Sequence, residues 1–198
     1  MPRVKQRTPE LREKVLQAAM DTLVADGVSG FTTRRVAQAA STSTPAVYEL
    51  FGDRAGLVRE MFFSAFRQLG ERFDQLAATG DPRRDLTEAM TAVRGFVVEH
   101  PALGQLMFSR PFADFDPGPQ ERSAGDKART FVVARVRRCI DAGVLAGDET
   151  DIAHVLLGLA RGLASQEAAG WLGSSRESVE RRWALAIDSL FAGLATPH

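Results

Sequence analysis

From residue 9 onward, apolar side chains recur every three or four positions. No segment alternates apolar and polar residues with the period of two that a half-buried strand requires. That rhythm points to an all-α fold. In 9–26, Leu11, Val15, Ala18, Ala19, Thr22 and Leu23 share one helix face. Thr8-Pro9 marks the start of this helix, because proline is tolerated at the first helical position, and Gly27 and Gly30 stop it. Thr32 is placed to cap a short helix that turns Val36, Ala37 and Ala40 inward. Ser43 can cap the next helix, 44–50, with Val47, Leu50 and Phe51 facing the core. After Gly52, Asp53 caps a long helix that begins at Arg54 and runs to about Ala78. Beyond Gly80-Asp81-Pro82, helices are expected near 83–99, 102–109, 120–142, 149–170 and 175–194, which makes about nine in total. The piece SRPFADFDPGP, 109–119, has three prolines and two phenylalanines and is expected to pack down.

With 198 residues the chain suits one large domain or two small ones. Its 25 basic and 25 acidic residues balance, which argues against a protein that holds nucleic acid by overall charge. The front is locally basic. Arg3, Lys5 and Arg7 stand with no acid among the first seven residues, either as a solvated arm or as a contact to a polyanion. Cys139 is the only cysteine, so no internal disulfide and no cysteine-rich metal site can form. It reads as a small buried residue, with a redox sensor as the rival. No apolar run reaches the roughly 18 residues of a membrane span, and MPRVKQRTPE lacks the apolar core of a secretory signal. A cytoplasmic location and no membrane partner are therefore expected. There is no Gly-rich phosphate loop and no G-x-S-x-G elbow, and His100, His154 and His198 make no metal-ligand spacing. Asp114 and Asp116 keep an acid–base enzyme open as a rival. No catalytic residue, metal or cofactor is expected.

The two short helices 33–40 and 44–50, joined at Ser41-Thr42 and preceded by a longer helix, have helix-turn-helix spacing. Any compact helical bundle contains short helix pairs, so the residue types carry more than the spacing. Ser43, Thr44, Pro45 and Ala46 at the start of the second helix are small or hydroxylic, which permits close approach to base edges and phosphates. Tyr48, the only tyrosine, lies one turn further on. Its ring can pack on the bundle while its hydroxyl reaches a phosphate, or it is a core tyrosine with a satisfied hydroxyl.

The run GVSGFTTRRVAQAASTSTPAVYELFGDRAGLVREMF, 27–62, resembles the N-terminal DNA-binding domain of the TetR repressor family. The matching pieces are the G-x-x-G-F-T-T-R turn, A-x-x-A, S-x-x-x-V-Y-x-x-F, and a three-residue link into a basic residue. The likeness covers about 8–62, and HPALGQLMFSRPFADF, 100–115, resembles the start of a C-terminal regulatory domain in one branch of the family. The resemblance implies a three-helix helix-turn-helix DNA-binding domain, 1–53, followed by a helical-bundle ligand-binding and dimerisation domain, 54–198. Carried over by position, Thr32 caps helix two, Thr33 lies near phosphate and Arg34 can reach a base. Thr44 and Pro45 open the recognition helix, beside Ser43. Tyr48 contacts phosphate, and Arg54 sits at a helix N-terminus favourable to phosphate. Arg3, Lys5 and Arg7 follow the DNA backbone or enter a minor groove. There are two departures from the family pattern. Ser41 stands where the family usually has a turn glycine, so it has to accept positive φ. Glu49 and Leu50 replace residues that are often aromatic, basic or His, which weakens phosphate contacts at that end.

The implied function is a homodimeric regulator, by default a repressor of a palindromic operator in double-stranded DNA, released by a small effector. The alternatives are a ligand- or partner-binding helical protein that has lost DNA recognition and, more remotely, a helical enzyme. Segment 153–170 offers Gly158, Gly162, Leu156, Leu159 and Leu163 to a subunit interface, and the final helix adds Trp183, Ile187, Leu190 and Phe191. The same residues can instead close a monomeric core. Phe62, Phe66, Phe73, Phe96, Met107, Phe108, Phe112 and Phe131 are plausible walls of an apolar effector cavity or plain core. His100 and Arg110 offer polar anchors, although His100 beside Pro101 also reads as a helix boundary.

Overall fold

The structure is a computed structural model that describes residues 8–109, 112, 113, 115, 116 and 118–195. In chain order the helices are α1 (Pro9–Gly30), α2 (Thr33–Ala39), α3 (Thr44–Phe51), α4 (Arg54–Asp74) and α5 (Pro82–Glu99). They continue with α6 (Pro101–Ser109), α7 (Pro119–Ala124), α8 (Asp126–Asp141), α9 (Glu149–Ala168) and α10 (Arg176–Gly193). Among the described residues there is no strand, and the fold is all-α. One helix expected over 120–142 is two, because the hydrogen-bond pattern restarts at Gly125, where a Cβ would sit 3.2 Å from the Phe66 ring. α1 is kinked at Gly27 (φ 65°, ψ −174°), so the stop expected there is a break inside a longer segment.

Short polar side chains hold the helix starts. Thr8 caps α1, Asp81 caps α5 and Asp148 caps α9, each accepting from first-turn N–H groups. Ser175 and Ser178 form a reciprocal capping box on α10.

The chain folds into two compact units. The first takes in the chain up to Ala65 together with Ala102–Glu121, and the second takes Phe66–Pro101 and everything from Arg122 onward. Val15, Leu16, Ala19, Leu23, Phe31, Val36, Val47, Leu57 and Met61 are buried in the first. In the second, α5 packs on α8 and α9, burying Phe73, Leu86, Phe96, Val136, Leu145 and Leu156.

Arginine–carboxylate pairs cross between the helices of the second unit. Arg94 on α5 donates from Nε and Nη2 to Glu167 at 2.8 and 2.8 Å, and from Nη1 and Nη2 to Glu180 at 2.8 and 2.7 Å. This fork joins α5, α9 and α10, and the Trp183 ring lies under it at 4.9 Å. Asp85 is fully buried. It accepts from the Thr79 hydroxyl at 2.6 Å and from Arg138 Nη1 at 2.6 Å, with Arg135 Nη1 at 3.3 Å. The Thr79 hydrogen bonds, then Arg138 and Arg135, hold its carboxyl down at about 2 against the opposing effect of burial. Arg135 Nη2 also donates to the Leu76 carbonyl at 3.0 Å and Arg138 Nη2 to the Thr79 carbonyl at 2.9 Å. These bonds tie down the link before α5, and α4 ends at Asp74, short of the expected Ala78. Cys139 is buried, its Sγ 3.2 Å from the Pro82 carbonyl, and burial pushes its thiol up to about 11. That suppresses the thiolate a redox sensor needs. Among the described residues, no helix is long and apolar enough to cross a membrane.

Candidate nucleic-acid interface

The two short helices owe their starts to two hydroxyls. Thr32 Oγ1 accepts from Arg35 N at 3.3 Å and opens α2, and Ser43 Oγ accepts from Ala46 N at 3.3 Å and opens α3. Between them the chain reverses at Ser41, the only non-glycine residue with positive φ among the described residues, at 54°. Ser41 N donates to the Gln38 carbonyl at 3.0 Å and Thr42 N to the Ala37 carbonyl at 2.8 Å, the paired bonds of a helix end closed by a left-handed residue. Ser41 thus takes the backbone role expected of a glycine. At the far end Gly52 (φ 81°) stops α3, and Asp53 Oδ1 accepts from Gly56 N at 2.7 Å to cap α4.

Val47 and Phe51 turn inward, which leaves Ser43, Pro45, Tyr48 and Glu49 exposed, with Thr44, Ala46 and Leu50 half-buried. Tyr48 is 44% exposed, so it is not a core tyrosine. On α2 the outward residues are Arg34, Arg35, Gln38 and Ala39, with Thr32 exposed at its start. Arg35 pairs with Asp26 at 2.5 Å, and Arg34 beside it is exposed. The exposed residues therefore include small or hydroxylic groups on α3 and a forked cation on α2.

Two of the expected phosphate contacts are drawn toward the bundle. Thr33, expected near phosphate, is buried, because the first residue of this seven-residue helix faces the bundle with Val36 and Ala37. Arg54, expected at phosphate, is half-buried with its guanidinium 4.9 Å from the Phe112 ring and 5.7 Å from the Phe31 ring. Arg3, Lys5 and Arg7 lie outside the described residues, as do Arg110 and Asp114. Nothing local in the sequence marks Arg35 and Gln38 as part of the outward face beyond the doubled Arg34-Arg35, and only the fold shows that both arginines face outward.

The expected effector residues are divided between the units. Phe62, Met107 and Phe112 are buried and Phe108 is half-buried in the first. Phe66, Phe73, Phe96, His100 and Phe131 belong to the second. There Phe73 stacks on Phe131 with ring centroids 4.6 Å apart and Arg135 covers Phe131 at 4.8 Å, while Phe96 meets His100 at 5.4 Å. A separate surface cleft of about 460 Å³ lies between α5, α9 and α10, over Arg94, Val98 and Val179, and none of the expected residues lines it.

Of the expected subunit-face residues, Leu156, Trp183 and Phe191 are buried within their own unit and so cannot meet a partner. Trp183 Nε1 donates to Glu167 at 2.7 Å, and Arg83 lies 4.4 Å over the Phe191 ring. Leu159, Leu163, Ile187 and Leu190 are half-buried and Gly162 is exposed. A Cβ placed at Gly158 or Gly162 would meet nothing within 4 Å. Val155 (57%) on α9, Leu185 (67%) on α10 and Trp171 (85%) between them are the large apolar side chains that this region exposes.

Two family patterns match the sequence. One, described as "Bacterial regulatory proteins, tetR family", covers residues 15–61. The other, "Tetracyclin repressor-like, C-terminal domain", covers residues 86–190, more than half of the chain. HTH-type transcriptional regulator Rv1816 of Mycobacterium tuberculosis is 25% identical over 142 residues, 70% of this chain and 59% of that protein. The chain thus spans less than two thirds of that relative's length. HTH-type transcriptional regulator BetI of Paraburkholderia phytofirmans is 34% identical over 83 residues, 41% of this chain and 43% of its own. Among solved structures, a protein with unknown function from Rhodococcus sp. RHA1 superposes with TM-score 0.80 at 28% identity, covering 98% of this chain and 100% of that one. A TetR transcription regulator from Haloarcula marismortui shares the fold with TM-score 0.71 at 19% identity, covering 95% and 100%.

Proposed function

The chain belongs to the TetR family of bacterial regulatory proteins, a family of transcriptional regulators rather than enzymes, and on that premise we propose that it is a homodimeric repressor of a palindromic operator. The observation that carries this reading is the outward row Ser43, Thr44, Pro45 and Tyr48 on α3, with Arg34 beside it on α2. The small side chains let α3 sit deep in a major groove. The Tyr48 hydroxyl is free to meet a phosphate, and Arg34 can fork onto guanine O6 and N7. Glu49 on the same face trims affinity at one end, and Leu50 is half-buried. The basic residues Arg3, Lys5 and Arg7 add a backbone or minor-groove contact. The DNA-binding domain ends near Gly52-Asp53, and the rest of the chain binds effector and partner. DNA as the target places the protein in the cytoplasm.

One such helix pair reads few base pairs, and a two-fold dimer doubles the site. The outer stripe of α9, from Val155 through Gly158, Leu159, Gly162 and Leu163, supplies the dimer face together with Leu185, Ile187 and Leu190 of α10. Its glycines answer no steric demand within the chain, which fits close approach by a second helix. A mainly apolar effector binds the larger unit among its phenylalanines and favours a dimer whose two recognition helices no longer match successive grooves.

Incubating the protein with sheared genomic DNA at moderate salt, and sequencing what is retained, tests the reading. A palindrome should be enriched, and binding to it should fall steeply with added salt. Retention of random sequence only, or of nothing, would remove the repressor.

A further inference from the structure

The chain crosses into the second unit after Ala65, returns to the first at Ala102, and leaves it again after Glu121. The returning segment lies within the C-terminal family pattern, yet it folds with the helix-turn-helix. Its described residues fasten there in three places. The buried Phe112 ring meets the buried Phe31 ring edge-on, with centroids 5.3 Å apart at 61°. The buried Phe115 ring packs on Phe62 at 5.6 Å. The buried Glu121 accepts from Arg59 Nε at 2.5 Å. Phe115 N donates to the Phe112 carbonyl at 3.2 Å, so the first two fastenings form one turn.

The partners of Phe112 occupy two special places. Phe31 immediately precedes Thr32, the cap of α2. Arg54, whose guanidinium lies 4.9 Å from the Phe112 ring and 5.7 Å from the Phe31 ring, opens α4, two residues after the Gly52 that ends α3. The entry to the helix-turn-helix and its exit therefore meet on a single ring supplied by the distant half of the sequence. An aromatic edge and a cation over the ring face are both directional contacts, so they set orientation as well as burial.

We infer that Phe112 is a positioning residue of the DNA-reading element: through Phe31 and Arg54 it fixes the angle at which α2 and α3 leave the bundle. The inference rests on the DNA-binding reading for its functional half and on the contacts above for its structural half. Phe112 contacts no phosphate in this scheme. Its loss lowers discrimination for the operator without changing the number of ions released on binding.

The test compares the full-length wild type with Phe112→Ala and Phe112→Leu, the second keeping apolar bulk without the ring, and with Phe112→Tyr as the conservative control. Amide hydrogen exchange is read along the chain. Affinity is measured for the genomic palindrome and for a random duplex across a salt series. The expected result for Ala and Leu is exchange about tenfold faster or more between residues 31 and 54, with α8 and α9 at wild-type rates. The specific-to-random affinity ratio should fall about tenfold at an unchanged salt slope, with Tyr restoring both. Unchanged exchange between 31 and 54, or an equal rise over the whole chain, would overturn the inference. If Phe112→Ala does not fold, Phe112→Leu decides on the same criteria. Wild-type protein that retains no DNA would sink the DNA-binding reading alone, and the exchange result would still decide for or against Phe112.

Discussion

Ser41 has φ of 54° in a region where an L-residue with a Cβ meets its own carbonyl. Replacing it with Gly removes that strain at a turn already closed by two backbone hydrogen bonds. Ser41→Gly should stabilise the chain by about 1 kcal/mol in urea titration, offset in part by the greater freedom of glycine in the unfolded chain. Ser41→Val should lower stability, since a β-branched side chain tolerates the conformation least. At the reading face, Arg34→Ala should cost about 1–3 kcal/mol on the operator and relax preference at one base pair per half-site. Tyr48→Phe should weaken specific and random DNA alike. Equal loss on both DNAs after Arg34→Ala would show that Arg34 touches phosphate, not base.

At the scale of elements, the link between α4 and α5 depends on one buried carboxylate. Asp85 has its folded value held at about 2, below its ordinary 3.8. A depressed acid stabilises the fold fully above its unfolded value and loses that contribution as pH falls. Urea midpoints should therefore be level in Asp85 at neutral pH and decline from about pH 4 toward pH 2. Asp85→Asn should lower the midpoint at pH 7 and flatten the acid decline, because Arg135 and Arg138 then face no charge. An equally steep decline in the variant would place the acid sensitivity elsewhere. The helices themselves were legible because their caps are local: Thr32, Ser43 and Asp53 announce α2, α3 and α4 within three residues. Positive φ at Ser41 was legible for the same reason. The inward turn of Thr33 was not, since seven residues are too few for periodicity to tell which of two neighbouring threonines faces the bundle. The pairing of Arg54 with Phe112 joins residues far apart in the chain and leaves no local trace.

For the whole molecule, the apolar pattern of α9 and α10 identified which residues share a face but not which face meets the chain's own core. Trp183 and Phe191 went to the core through Glu167 and Arg83, and the open face fell to Val155, Gly162 and Leu185. On the proposed dimer, Gly162→Leu should leave the helical signal unchanged, because among the described residues nothing lies within 4 Å of the new Cβ, while sedimentation shifts from dimer to monomer. Leu185→Glu should do the same. A dimer that survives both changes would put the interface on another surface.

The two tryptophans occupy opposite environments. Trp183 is sealed under Arg94 and hydrogen-bonded to Glu167, whereas Trp171 is 85% exposed. Trp171→Phe would leave a single indole emitter, blue-shifted and shielded from iodide. Its emission would then act as an optical gauge seated at the seam of α5, α9 and α10. Any effector that opens that seam should move the colour to the red while the far-ultraviolet signal of the helices stays constant.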